Sequence, residues 1–125
     1  MFADIPSSAI VAVRNLDRAR AFYGDTLGLP IELDSDQMLG FRTGATRLDV
    51  YRSDEAGTNR ANAVVWGASG DFDAVIAELR AKGVTFEEYP ELGMQVADGV
   101  HTAGDFKAAW FKDPDGNILH VNSGG

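Results

Sequence analysis

Apolar residues along this chain change spacing several times, and each change predicts an element. Ser8–Val13 alternates small and branched side chains, the period-two habit of a strand. Leu16, Ala19, Phe22, Tyr23 and Leu27 then recur at spacings of three and four, which places them on one helical face. Asn15 is placed to cap that helix, Gly28 to stop it, and Pro30 to prevent its continuation. Ile31–Leu33, Met38–Arg42 and Thr46–Tyr51 read as three short strands. The order is strand, helix and three strands, followed by a polar linker over Arg52–Arg60.

The same order then begins again. Asn62–Trp66 reads as a strand, and Ser69 or Asp71 can cap a second helix. Phe72, Val75, Ile76 and Leu79 form the apolar stripe of that helix, and Gly83 ends it. Val84–Tyr89 reads as a strand and Pro90–Gly104 as a long loop. Ala108–Lys112 and Asn117–Asn122 form a hairpin through Asp113-Pro114-Asp115-Gly116, a type I turn closed by a left-handed residue. The expectation is a single α+β domain with an internal repeat: module one over about 6–52, a linker over about 53–60 and module two over about 61–123.

Alternation sorts the strands into faces. Leu48 and Val50 oppose Arg47, Asp49 and Tyr51, and Leu119 and Val121 oppose Ile118, His120 and Asn122. The apolar sets, with Phe22 and Leu79, are expected to be buried between helix and sheet. The first strand of each module alternates less decisively. Ser8, Ile10 and Ala12 form one set, and Asn62, Val64 and Trp66 another. Aligning the two helix starts, Asp17 with Asp73, sets Ser8 opposite Val64, and by this repeat Val64 and Trp66 are expected to follow Asp49, Tyr51 and His120 onto the polar side.

Bulk chemistry narrows the function classes. The formal net charge of −8, with no Lys/Arg cluster, argues against nucleic acid. With no cysteine, disulfides, thiolate catalysis and Cys-ligated zinc are excluded. No apolar run approaches the ~20 residues of a membrane span. The first residues lack a basic and apolar leader pattern, so a cytoplasmic location is expected.

Three segments carry a family resemblance. Val13–Ala19 with Phe22-Tyr23 and Leu27-Gly28 resembles the first-module signature of the glyoxalase/bleomycin-resistance/dioxygenase, or vicinal oxygen chelate (VOC), superfamily. Ala74–Val84 resembles that superfamily's second helix and following strand, and Ala109–Asn117 its final hairpin. The resemblance covers nearly the whole chain. It implies two βαβββ modules whose curved mixed sheets form a cleft, commonly in a homodimer.

It also implies where a metal would sit. Metal-dependent members draw ligands from the first and last strands of each module, and the matching positions here are Ser8, Asp49, Val64 and His120. Asp49 and His120 are competent ligands. Ser8 is a poor one, and Val64 has no donor atom. His101 falls in the Val96–Gly104 loop and reads as an ordinary loop histidine. Nothing resembles a nucleophilic triad, and Gly67-Ala68-Ser69-Gly70 lacks the lysine and spacing of a phosphate loop.

The function this favours is binding of a small molecule without an intact catalytic metal site or other cofactor, of a resistance, sequestration or unassigned kind. The expected lining is Ser8, Arg47, Asp49, Tyr51, Val64, Trp66, His120 and Asn122, with Trp110 and Phe41 as further candidates for an aromatic wall. A neutral or cationic planar ligand would suit an acidic, aromatic site. The alternative is a metal-dependent lyase or dioxygenase holding Zn, Ni, Mn or Fe through Asp49 and His120. A third possibility is a metal-free enzyme in which His120, oriented by Asp49, is the catalytic base.

Overall fold

In a computed structural model, which describes residues 1–124, the chain divides into two compact units. The first comprises Met1–Asn59 with Pro114–Asn117, and the second Arg60–Asp113 with the chain from Ile118 onward. The boundary lies between Asn59 and Arg60. The turn at 114–117 belongs with the first unit, although the strands it joins belong to the second.

The first unit holds β1 (Ala9–Val13), α1 (Leu16–Ala19), a π-helical stretch (Arg20–Thr26), β2 (Ile31–Asp34), β3 (Met38–Thr43) and β4 (Thr46–Arg52). Its sheet runs β1-β4-β3-β2, with β1 parallel to β4 and the other pairs antiparallel. The Asn15 side chain accepts from the Arg18 amide at 2.9 Å, so the expected cap forms. The helix differs from expectation in its second half. Leu27 N–H reaches back five residues to Phe22 C=O, and the wider turn shifts the inward position by one. Tyr23 is therefore fully buried against Phe41, their centroids 6.0 Å apart, while Phe22 is only partly covered. Val13, Leu39, Phe41, Leu48 and Val50 complete this core at full burial.

Gly57 shows why the turn of the second hairpin groups with this unit. A Cβ at residue 57 would lie 2.0 Å from the Asp115 carbonyl oxygen, and its φ is +75°. Only glycine allows that approach. Around it, Asn117 donates to Ala12 C=O at 2.7 Å, and Arg18 pairs with the nearly inaccessible Asp115 carboxylate at 2.8 Å.

The second unit holds β5 (Asn62–Gly67), α2 (Phe72–Ala81), β6 (Phe86–Glu87), β7 (Gln95–Ala97), β8 (Val100–Ala103), β9 (Phe106–Lys112) and β10 (Ile118–Asn122). Its sheet runs β5-β10-β9-β8-β7, and β6 pairs with β9 further along the same edge. Neither Ser69 nor Asp71 caps α2 with its side chain. A 3₁₀ turn over Ser69–Asp71 leads into the helix instead. At its end, Gly83 at φ +85° donates to Arg80 C=O and Val84 N–H to Leu79 C=O, the paired bonds of a Schellman stop. Phe72, Ile76 and Leu79 of α2 are buried, as are Ala109, Phe111, Leu119 and Val121 of the sheet. Lys107 of β9 pairs with Asp73, and Arg80 lies over the Phe86 ring, so α2 covers the odd-numbered face of β9.

Two further expectations differ from the structure. The segment over Pro90–Gly104 is not a loop: β7 and β8 form a hairpin through Asp98 (φ +51°) and Gly99 (φ +81°). Asp-Gly with both residues left-handed is the preferred two-residue hairpin turn. The register of β5 is also shifted. Val64 pairs with Leu119 and Trp66 with Val121, while Val65 pairs with His120. A bulge at Ile118/Leu119 takes up one residue, so Val64 and Trp66 share the helix-packing face of the sheet. Val64 is buried and Val65 is 61% exposed.

This register predicts opposite outcomes for adjacent substitutions. Val64→Asn should destabilise by about 2 kcal/mol or more, by burying an unpaired amide, whereas Val65→Asn should stay within about 0.5 kcal/mol. Leu79→Ala should cost about 2–5 kcal/mol. Urea unfolding reads all three, and equal effects at positions 64 and 65 would contradict the register.

Candidate functional site

Each unit has one sheet face packed under its helix and one that carries polar side chains. On the first, Asp49 pairs in register with Ile10 and Gly40, and Tyr51 with Ala12 and Met38. Arg47 lies two residues from Asp49 on the same face and folds back over Gly40. A Cβ at Gly40 would stand 3.1 Å from both Cδ and Nε of Arg47, so the glycine makes room for that path. Arg47 Nε–H donates to Asp49 Oδ1 at 2.6 Å and Nη2–H to Oδ2 at 3.3 Å. Both carboxylate oxygens are therefore engaged, and only 14% of the Asp49 side chain is exposed. The bond to Asp49, its charge and the more distant Glu32 raise the Arg47 pKa further above its ordinary value. Ser8 is exposed just before β1, and Tyr51 is 38% exposed.

The second unit gathers an aromatic cluster around Trp110. Register pairs Trp110 with His120 across β9–β10, and the rings stack at 4.5 Å with 20° between planes. His101 meets the indole edge-on at 4.8 Å, and Tyr89 does so at 5.4 Å. The indole N–H donates to Asn62 Oδ1 at 3.1 Å.

Hydrogen bonds fix the proton on each imidazole. His120 Nδ1–H donates to Ala109 C=O at 3.1 Å. Asn122 Oδ1 accepts from Gly124 N–H at 2.9 Å, which turns its amide NH₂ toward His120 Nε2 at 3.2 Å. His101 is fully buried: its Nδ1–H donates to Gly99 C=O at 3.1 Å, and Nε2 accepts the Tyr89 amide at 2.9 Å. Both histidines are thus neutral Nδ1–H tautomers with both nitrogens occupied. His101 is a clamp that ties the β7–β8 turn to Tyr89, not the loop histidine expected.

Of the expected site residues, Arg47, Asp49 and Tyr51 share the first open face, and His120 and Asn122 the second. Val64 and Trp66 do not join them, and Phe41 lies in the first core. The residues missed are Trp110's neighbours His101, Tyr89 and Asn62. The Asp98-Gly99 turn was the sequence signal that could have brought His101 beside Trp110. Within its unit a backbone carbonyl and an amide orient the His120 ring.

These donors fit a resident divalent metal poorly. Val64 has no donor and faces the core, Ser8 offers a neutral hydroxyl, and Asp49 and His120 already hold internal partners. Among the described residues no three His, Cys, Asp or Glu side chains cluster closely enough to ligate one ion, and no buried side-chain N or O lacks a partner.

A family model for the Glyoxalase/Bleomycin resistance protein/Dioxygenase superfamily matches residues 6–121. The chain belongs to this superfamily. Solved structures agree on the fold. Lactoylglutathione lyase from Agrobacterium tumefaciens superposes with a TM-score of 0.71 at 18% identity, over 95% of this chain and 92% of that one. The fosfomycin resistance protein FosX from Mesorhizobium loti gives 0.71 at 13%, over 100% and 95%. A glyoxalase/bleomycin resistance protein/dioxygenase from Alicyclobacillus acidocaldarius gives 0.73 at 16%, over 95% and 90%. No helix among the described residues is long and apolar enough to cross a membrane.

Burial gives His120 a definite pH signature. Desolvation lowers its pKa below the ordinary histidine value, repulsion from His101 acts the same way, and the Ala109 bond partly opposes both. As pH falls below about 6.5, the unfolded chain takes up a proton that the folded chain resists, so stability declines with acid. His120→Gln should flatten the plot of unfolding free energy between about pH 6.5 and 5. An unchanged slope would place His120 in water.

Proposed function

We propose that this VOC-superfamily chain binds a small organic molecule on its polar sheet faces without a resident divalent metal, as a sequestering rather than a metal-dependent catalytic member. The observation that carries the reading is the occupancy of the two competent donors. Arg47 holds both oxygens of Asp49, and Ala109 and Asn122 hold both nitrogens of His120. The lyase or dioxygenase alternative requires both groups to be released, and a general base at His120 requires Nε2 to be free.

Three features support binding. The Trp110–His120 stack offers an aromatic platform, though each residue is mostly covered. Val65 and Asn62 are exposed on β5, Val65 in register with His120. Ile10, 61% exposed, adds apolar surface on the first face. A homodimer, implied by the family resemblance, belongs to the same proposal.

Elemental analysis of tag-free protein purified without chelator tests this directly. Zinc, nickel, manganese and iron should all be far below stoichiometric. The chelator-treated protein should still bind a neutral planar aromatic such as 2-naphthol, read by tryptophan fluorescence. Near-stoichiometric metal that disappears in His120→Ala would overturn the proposal in favour of the metal-dependent enzyme.

A further inference from the structure

We infer that a groove at the hairpin end of the first sheet recognises the carboxylate of a small organic monoanion, with Arg42 as its anchor. This rests on the small-molecule reading above and names the ligand class. The groove has a volume of about 430 Å³ and is lined by Arg42, Arg47, Glu32, Ser7, Ser8 and the Gly44–Thr46 turn. That volume is within the range of small-molecule sites.

The charges in the groove are unevenly satisfied. Arg42 and Arg47 oppose each other in register across β3–β4, and like charges so placed repel. Arg47 is compensated by both oxygens of Asp49 and by the nearby charge of Glu32. Arg42 has no such relief. Its backbone amide bonds Pro30 C=O, but its guanidinium has neither ion pair nor hydrogen-bond partner among the described residues. The Ser7 and Ser8 hydroxyls, which also line the groove, likewise have no hydrogen-bond partner among the described residues.

An unpaired planar fork in a groove that also holds two hydroxyl donors matches a carboxylate, which can accept two parallel N–H bonds and a third from a hydroxyl. Glu32, which also lines the groove, sets the limit. One negative charge offsets Arg42, and a second would meet a carboxylate. The chain's net charge of −8 acts in the same direction, so attraction must come from short-range bonds within the groove. The class that fits is a monocarboxylate with an uncharged body. For this groove the expectation of a neutral or cationic ligand, which assumed a free Asp49, does not hold, because Arg47 already pairs with Asp49.

Benzoate is the probe. Chelator-treated, ¹⁵N-labelled protein is titrated with sodium benzoate at constant ionic strength, with benzyl alcohol and phthalate in parallel. Saturable shifts should appear at the amides of Ser7, Ser8, Arg42 and Gly44. Benzyl alcohol should leave those amides unmoved, and phthalate should bind more weakly than benzoate. Arg42→Gln should weaken benzoate at least about tenfold, with Arg42→Lys intermediate and Arg60→Gln, an exposed arginine in the other unit, unchanged. Equal loss in Arg42→Gln and Arg60→Gln, identical shifts with benzyl alcohol, or no benzoate shifts at these amides would overturn the inference. Persistence of 2-naphthol binding in such a case would leave the metal-free binding reading standing, so the two failures are distinguishable.

Discussion

A carboxylate or imidazole on the open face of a β-sheet must be hydrated, ligated or bonded by a neighbour, and the key examples in both halves of this protein are bonded by neighbours. In the first half Arg47 closes on Asp49. In the second, Asn122 and the Ala109 carbonyl close on His120. Self-satisfaction of this kind engages the donor atoms that a metal would otherwise draw on. It also redirects attention to the groups left over, of which Arg42 is the clearest.

The arrangement depends on small residues as much as on polar ones. Gly40 leaves the space through which Arg47 reaches Asp49, and any Cβ there would crowd the guanidinium arm. Gly57 lets the Asp115 backbone approach so closely that the turn joining β9 and β10 groups with the first unit. Asn122 matters through its orientation: Gly124 takes its carbonyl oxygen, so its NH₂ must face the imidazole. Each device spends conformational freedom on one specific contact.

Much of this was legible in the amino-acid sequence, and the failures have physical causes. Period-two alternation placed Leu48, Val50, Leu119 and Val121 in the cores and Asp49 and His120 on the open faces, because one strand face is wholly apolar in each case. The same rule failed for β5, where Ala63-Val64-Val65 offers no polar contrast and a bulge moves the register by one. Helical spacing in turn failed for Phe22, because a π-helical turn leaves it partly covered and gives the inward position to Tyr23 alone. The Gly-containing stretch over Pro90–Gly104 reads as a loop, yet its Asp98-Gly99 turn closes the β7–β8 hairpin that buries His101. The Arg47–Asp49 pair was implicit in the i, i+2 spacing. Whether the arginine would turn back or extend into solvent depended on Gly40 in the neighbouring strand.

Long-range ¹H–¹⁵N correlation spectra of the two imidazoles, recorded at pH 7 with and without zinc, bear most directly on the claim that the metal donors are internally occupied. The account predicts that His101 and His120 are both neutral Nδ1–H tautomers and that equimolar zinc leaves the Nε2 resonance of His120 unmoved. An Nε2–H tautomer at His120, or a zinc-induced shift at that nitrogen, would contradict it.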